Sequence, residues 1–249
     1  MKKGIGMKHK LTFSIIIRST LFWFLCVIVL PFYSILALVI IKLHPRLRHR
    51  LILTAARYYN FLLKTVGGIK YTVTGAENIM LDKPAIYAGN HQSAWETMML
   101  SATLPPCVWI MKREVFKIPL FGWAVAGMST IAIDRSRGED SLLQVIEQGK
   151  DRFALGFSII MFPEGTRVRP TTRKPFKFGV GKLALSLDVP VVPIAHNSGY
   201  CLPKNSFWLY PGVVTVVIGK PIYPDGTNPV LFTEKIQAWV YAQLDEMRA

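Results

Sequence analysis

No aspartate or glutamate occurs in the first 76 residues: the first acidic side chain is Glu77, whereas the same stretch holds 12 of the 30 Lys and Arg residues. The other 18 basic residues face all 15 carboxylates, so the net charge of +15 is concentrated toward the N-terminal end. The cations there flank an apolar run and no nucleic-acid motif accompanies them. Anionic lipid headgroups are therefore the expected partner, and nucleic acid is not. Cysteine is scarce. Cys26, Cys107 and Cys201 are odd in number, far apart and form no C-x-x-C, which argues against a disulfide framework or a zinc cluster and fits a reducing compartment. The 5 histidines lack metal-ligand spacing, so no metal is expected. Three common signatures are also missing: the G-x-x-x-x-G-K-[ST] phosphate loop, the G-x-S-x-G nucleophile elbow, and a complete G-x-G-x-x-G, of which Gly179-Val180-Gly181 is only a fragment. No internal repeat or low-complexity segment is present.

What the chain does have is apolar residues, 51% of its 249. Residues 19–41 are uncharged and mostly Leu, Ile, Val, Phe and Trp. As a helix this run is about 34 Å long, enough to cross a hydrocarbon core with some tilt. It is too long for a signal-peptide core and lacks a cleavage site, so it is expected to be retained. Pro31 sits in its middle and leaves two readings open: a kinked spanning helix, or two halves that enter and leave one leaflet. Basic residues on both sides choose no orientation. Residues 47–66 form a second, basic helix with an apolar stripe, suited either to the membrane interface or to a core, and Gly67-Gly68 ends it. Residues 1–68 are accordingly read as a membrane-anchoring helical segment, and 69–249 as a domain of its own.

That second part alternates. Apolar runs at 70–73, 85–88, 108–111, 130–133, 157–162, 189–194 and 213–218 read as strands; 96–104, 118–127, 141–154, 181–187 and 230–247 read as helices. The pattern predicts an α/β fold, a mainly parallel sheet covered by helices on both faces, with an N-terminal membrane-embedded helical motif.

Several predicted strands end in polar turns. After Ala85–Ala88 comes Gly89-Asn90-His91-Gln92-Ser93-Ala94-Trp95-Glu96. His91 and Glu96 are five apart, off any shared helical face, so they meet only if His91 lies in the turn and Glu96 in the first turn of a helix. A carboxylate on one ring nitrogen fixes the tautomer and leaves the other nitrogen free to take a proton. The same residues contain S-x-x-E, a capping box in which Glu96 merely closes the helix, and both readings stand. Phe162-Pro163-Glu164-Gly165-Thr166-Arg167 ends a second strand, with an arginine fork suited to phosphate and a glycine that permits close backbone approach. Lys112-Arg113-Glu114 ends a third and Asp134-Arg135 a fourth. In a parallel sheet such ends share one rim, where ligands collect.

Taken together these blocks resemble those of the glycerolipid acyltransferases. Asn90 to Glu96 is similar to their H-x4-D block, Phe162 to Arg167 matches F-P-E-G-T-R, Lys112 to Gly122 resembles their intermediate block, and Val189 to Ala195 their proline-flanked strand. The nearest likeness is to the bacterial 1-acylglycerol-3-phosphate acyltransferases. One departure is Glu96, where the family usually has Asp. The resemblance implies direct acyl transfer, with no cofactor and with acyl-CoA or acyl carrier protein as co-substrate. His91 would be the general base and Glu96 its orienting partner. Arg167 and Lys112 would hold the phosphate of lysophosphatidic acid, and Glu164, Gly165 and Thr166 would form the acceptor and oxyanion side. It also implies a phospholipid bilayer as partner and a place at the inner, cytoplasmic membrane with the catalytic domain on the cytoplasmic side. Other acceptors, such as glycerol 3-phosphate or a lyso-aminolipid, or a non-catalytic lipid-binding role, remain alternatives.

Overall fold

The computed structural model describes residues 10–134, 136, 140–226 and 228–248; Arg135 and the basic tail at 1–9 lie outside the described residues. Seven strands form one sheet: β1 (Ile69–Thr74), β2 (Ile86–Gly89), β3 (Cys107–Lys112), β4 (Ile131–Ile133), β5 (Ser158–Met161), β6 (Val191–His196) and β7 (Gly212–Ile218), in the spatial order β1-β7-β6-β2-β5-β3-β4. β2, β3, β4, β5 and β6 run parallel to one another. β7 runs against β6, and β1 is parallel to β7. The mainly parallel expectation holds, with the two-strand edge reversed. Pro193 lies inside β6 where the regular ladder with β7 is interrupted; its carbonyl accepts from Gly219 N–H at 2.8 Å, just past the end of β7.

The described residues form seven α-helices around the sheet: α1 (Phe13–Val39), α2 (Pro45–Thr65), α3 (Trp95–Thr103), α4 (Phe121–Gly127), α5 (Asp140–Ala154), α6 (Gly179–Leu187) and α7 (Pro229–Glu246). The strands buried on both faces are continuous apolar runs because neither side of the sheet is wet. On one face Phe22 of α1, Leu62 and Leu63 of α2, and Trp95, Met99 and Leu100 of α3 pack on Tyr87, Trp109, Ile160 and Val192. On the other, Val145 of α5, Val180 and Leu183 of α6, and Phe232, Ile236 and Val240 of α7 pack on Ile86, Val108, Ile159 and Val191. The two N-terminal helices thus share a core with the sheet.

Most boundaries shift by one or two residues, and three of the differences have local reasons. α1 begins at Phe13, not at residue 19, because Arg18 does not end it: its guanidinium donates to the Val66 carbonyl at 2.9 Å and to Ser14 Oγ at 3.2 Å. The helix also runs unbroken through Pro31. α4 starts at Phe121 because Leu120 takes a positive φ of 64°, which no helix continues through. β6 starts two residues late, after the left-handed Asp188 and after Pro190.

Candidate active site

The carboxyl ends of β2, β3, β4, β5 and β6 lie on one rim, and the polar turns of the sequence gather there. His91 and Glu96 meet: imidazole Nδ1 lies 2.6 Å from Glu96 Oε1. Glu96 is fully buried, whereas the His91 side chain is 19% exposed. His91 occupies the turn and Glu96 the first turn of α3, the arrangement that their spacing demands.

Glu96 also performs the capping task. The backbone N–H groups of Gln92 and Ser93 donate to Oε1 at 3.0 and 2.9 Å, Ser93 N–H reaches Oε2 at 3.0 Å, and the Ser93 hydroxyl donates to Oε2 at 2.5 Å. That hydroxyl oxygen then accepts from Trp95 N–H at 3.0 Å, which opens the helix. One carboxylate thus holds both the imidazole and the turn ahead of α3, whose N-cap position is Ala94. A further donor comes from far along the chain: Ser198, just beyond β6, donates its hydroxyl to Glu96 Oε2 at 2.9 Å. Burial alone would raise the Glu96 carboxyl. The imidazoles of His196 and His91 and the Ser93 hydroxyl outweigh it and hold the group at about 2. The carboxylate is thus ionised and acceptor-only at neutral pH, so Nδ1 of His91 carries the proton that bridges them. Nε2 is left as the open nitrogen, with no hydrogen bond to it among the described residues.

The ring of His91 stacks face to face on Phe162, with centroids 4.2 Å apart and planes 2° from parallel. The backbone is fixed from both sides: His91 N–H donates to Glu164 Oε2 at 3.1 Å, and its carbonyl accepts from Val168 N–H at 2.7 Å. The F-P-E-G-T-R turn of β5 therefore grips the histidine turn of β2. Glu164 is buried, and burial raises its carboxyl to about 7, opposed by the His91 N–H bond and assisted by the charge on Glu96. Behind the dyad, Asn90 ties to His196: its amide donates to the His196 carbonyl at 2.8 Å and accepts from His196 N–H at 3.0 Å. Burial holds the His196 imidazole below its ordinary value, with Glu96 pulling the other way.

The remaining expected residues are less tightly built in. Arg167 is half-buried one residue before Val168, and Thr166 is exposed. Lys112 is exposed at the end of β3. β5 separates β3 from β2, which puts Lys112 roughly 10 Å from the dyad's strand by the ordinary strand spacing. Neither Arg167 nor Lys112 has an ion-pair partner among the described residues. Gly165 adopts φ +72°, where a side chain would be strained, and its N–H donates to the Phe162 carbonyl at 3.0 Å. That hydrogen bond closes the turn. Asp134 ends β4 on the same rim; its neighbour Arg135 lies outside the described residues.

Ser198, Phe162 and Asn90 are the residues that the sequence pattern did not single out as functional. Ser198 carried one usable signal: β6 ends on the same rim, so its next polar residues belonged with the others.

Comparison with known proteins gives the family and the fold. A family model described as Acyltransferase matches residues 70–197. The chain is 37% identical to 1-acyl-sn-glycerol-3-phosphate acyltransferase of Pseudomonas aeruginosa, over 93% of this chain and 91% of that one. It is 29% identical to 1-acyl-sn-glycerol-3-phosphate acyltransferase of Saccharomyces cerevisiae, over 87% of this chain and 73% of the yeast protein. The crystal structure of a 1-acyl-sn-glycerophosphate acyltransferase from Thermotoga maritima superposes with a TM-score of 0.78 at 24% identity, covering 94% of this chain and 96% of that one, which shows the shared fold.

Proposed function

This chain belongs to the acyltransferase family, and we propose that it transfers a fatty acyl group from an acyl thioester to the sn-2 hydroxyl of 1-acylglycerol 3-phosphate, giving phosphatidic acid. The observation that carries the mechanism is the His91–Glu96 contact at 2.6 Å with Nε2 left open. The acceptor hydroxyl gives its proton to His91 Nε2 as its oxygen bonds to the thioester carbonyl carbon. The tetrahedral intermediate then expels the thiolate by breaking the C–S bond, and the thiolate takes the proton back from His91. The protein forms no covalent bond to the acyl group and ends as it began. Glu96 stays ionised throughout and stabilises the imidazolium in between.

Arg167, with Lys112 in support, holds the acceptor phosphate; both are cations at the rim without an internal partner among the described residues. Glu164, Gly165 and Thr166 shape the acceptor and oxyanion side. No cofactor is required beyond the acyl-CoA or acyl carrier protein that brings the thioester.

Residues 1–68 act as the membrane anchor and 69–249 as the catalytic part. α1 is long and apolar enough to cross a membrane. The residues it buries, Ile15, Ser19, Phe22, Ser34 and Ala37, are spread along its whole length against the rest of the protein. The opposite side presents Phe13, Ile17, Leu21, Phe24, Ile28, Phe32 and Ile35 to the surroundings. A helix packed along the protein in this way supports a side-on meeting with one leaflet, and the reading sets the rim at headgroup level, facing the cytoplasm.

An acyl-transfer assay with a panel of lysolipid acceptors tests the reading. His91→Ala is expected to abolish turnover, and Arg167→Ala to raise KM for lysophosphatidate at least tenfold, about the worth of one charge-assisted contact. Full turnover in His91→Ala, or an unchanged KM in Arg167→Ala, would refute the roles assigned.

A further inference from the structure

A half-open cavity of about 630 Å³ lies at the rim on the side of the sheet away from α1 and α2. Its apolar walls come from Ile110 of β3, Val145 of α5, Met161 of β5 and Phe178 before α6. Phe162 is a further lining residue at this rim; its ring stacks on His91 and packs beside Trp109, on the α1 and α2 side of the sheet, so the Phe162 position lies between the cavity and the dyad. Two cations line the cavity, Lys177 exposed and Lys182 half-buried. Lys177 crosses over Gly165, with Nζ 3.7 Å from where a β-carbon on that glycine would sit, and its backbone N–H donates to the Pro163 carbonyl at 3.0 Å. Lys182, half-buried on α6, lies 4.9 Å over the Phe178 ring. Asp140, exposed beside the lining residue Ser141, is the acidic neighbour, and neither lysine pairs with a carboxylate among the described residues.

We propose that this cavity seats the phosphopantetheine arm of the acyl donor, its phosphate on Lys177 and Lys182 and its thioester reaching past Phe162 to His91. The inference rests on the acyl-transfer reading above. The acceptor, a lipid, reaches the rim from the α1 and α2 face; the cavity serves the opposite face, open to a donor arriving from water. A cavity of this volume with apolar walls and a few convergent polar groups is typical of a small-molecule site. A plain hydrocarbon chain would leave the half-buried ammonium of Lys182 at its wall without an anionic partner, which an apolar site avoids. An arm that is uncharged along its length and anionic at one end satisfies both the walls and the lysines. That arm is common to coenzyme A and to acyl carrier proteins, so the site serves either source.

Two variants of the full-length protein test it. Lys177→Ala/Lys182→Ala removes the charge, and Gly179→Leu fills the cavity at a position where an added side chain meets open space. Donors are acyl-CoA, acyl carrier protein and the phosphate-free acyl N-acetylcysteamine thioester, and free coenzyme A is titrated calorimetrically without any acceptor. For the double variant, the ratio of kcat/KM on acyl-CoA to that on the phosphate-free thioester should fall about tenfold or more, as should the ratio for acyl carrier protein, with KM for the acceptor unchanged. Gly179→Leu should weaken coenzyme A binding about tenfold. Unchanged donor ratios and unchanged coenzyme A affinity would overturn the proposal. So would a rise in acceptor KM in place of donor KM, or a loss confined to acyl-CoA, which would place the lysines on its nucleotide phosphates. The calorimetry separates the two readings: if the parent protein binds coenzyme A through these residues but acylates no lysophospholipid, the acceptor assignment fails and the donor site stands.

Discussion

Replacing Glu96 with Gln removes one charge from a fully buried carboxylate that accepts from His91 Nδ1, two backbone amides and the hydroxyls of Ser93 and Ser198. The 2.6 Å contact puts the centres of the imidazolium and carboxylate charges about 4 Å apart. At the effective dielectric suited to protein sites, that attraction is worth about 4 kcal/mol. The attraction exists only while His91 carries the extra proton, so it lowers the barrier and not the ground state. At about 1.4 kcal/mol per factor of ten, kcat should fall about a thousandfold. The amide adds a tautomer problem. If its NH2 turns toward His91, Nδ1 must accept and Nε2 keeps its proton, which removes the base. If its oxygen turns that way, the NH2 faces the Ser93 N–H, two donors against each other. Glu96→Asp separates charge from reach: it keeps the carboxylate but withdraws it by about one C–C bond, 1.5 Å. Most of the attraction survives at that distance and the direct hydrogen bond does not, so the expected loss is about ten- to thirtyfold. Steady-state thiol release from acyl-CoA measures both, with acceptor KM as control because neither change touches the phosphate side. A Glu96→Gln variant that folds and keeps more than a tenth of parental kcat would refute the electrostatic account, as would an Asp variant slower than the Gln one. Folding must be checked, because the depressed carboxyl also stabilises the native state. That contribution is present above the unfolded value of 4.5 and is lost as pH falls through about 2.

Glu164 makes the opposite pH prediction. Its folded value is raised to about 7 from 4.5, so its stabilising protonated form is fully present below 4.5 and lost as pH rises through about 7. Glu164→Gln, which can still accept the His91 N–H, should remove up to about 3 kcal/mol of the stability lost between pH 5 and pH 8, read as a flatter fall in thermal midpoint; a fall as steep as in the parent would show that Glu164 does not cause it. At the membrane face, Phe24→Lys/Ile28→Lys puts two charges on the exposed side of α1 and away from its packed residues. Co-sedimentation with vesicles should drop at least tenfold with the thermal midpoint unchanged, at a cost of roughly 2 kcal/mol or more per charge buried in lipid; undiminished co-sedimentation would place the bilayer elsewhere.

How much of this was legible in the sequence depends on the range of the physics involved. The strands of the central sheet are apolar runs bounded by proline, glycine and polar turns, and each such boundary is a local property. The dyad was legible for the same reason: five residues and one strand-to-helix turn decide whether His91 and Glu96 meet. What escaped was non-local or unsigned. An apolar run such as Val213 to Ile218 carries no mark of direction, so β7 turning back against β6 could not be read from it. Ser198 supplies a hydroxyl to Glu96 from 102 residues away, and one serine among many has no distinguishing neighbour pattern. The rim rule came closest to finding it. Applied to β6 as it was to β2, β3, β4 and β5, it selects His196, Asn197 and Ser198, two of which bond to the dyad's immediate surroundings. The substitution of Glu for the family's usual Asp looked like the weak point of the dyad when only side-chain length was weighed. With the donors in place it is explained: the longer arm lets one carboxylate lie beneath the Gln92 and Ser93 amides, span to Ser198 and still touch His91. The helix-end contacts of Glu96 and the proposed general base are therefore not rival readings. The helix end is what fixes the carboxylate, and a carboxylate fixed by four other donors does not need to reorganise when the imidazole becomes charged.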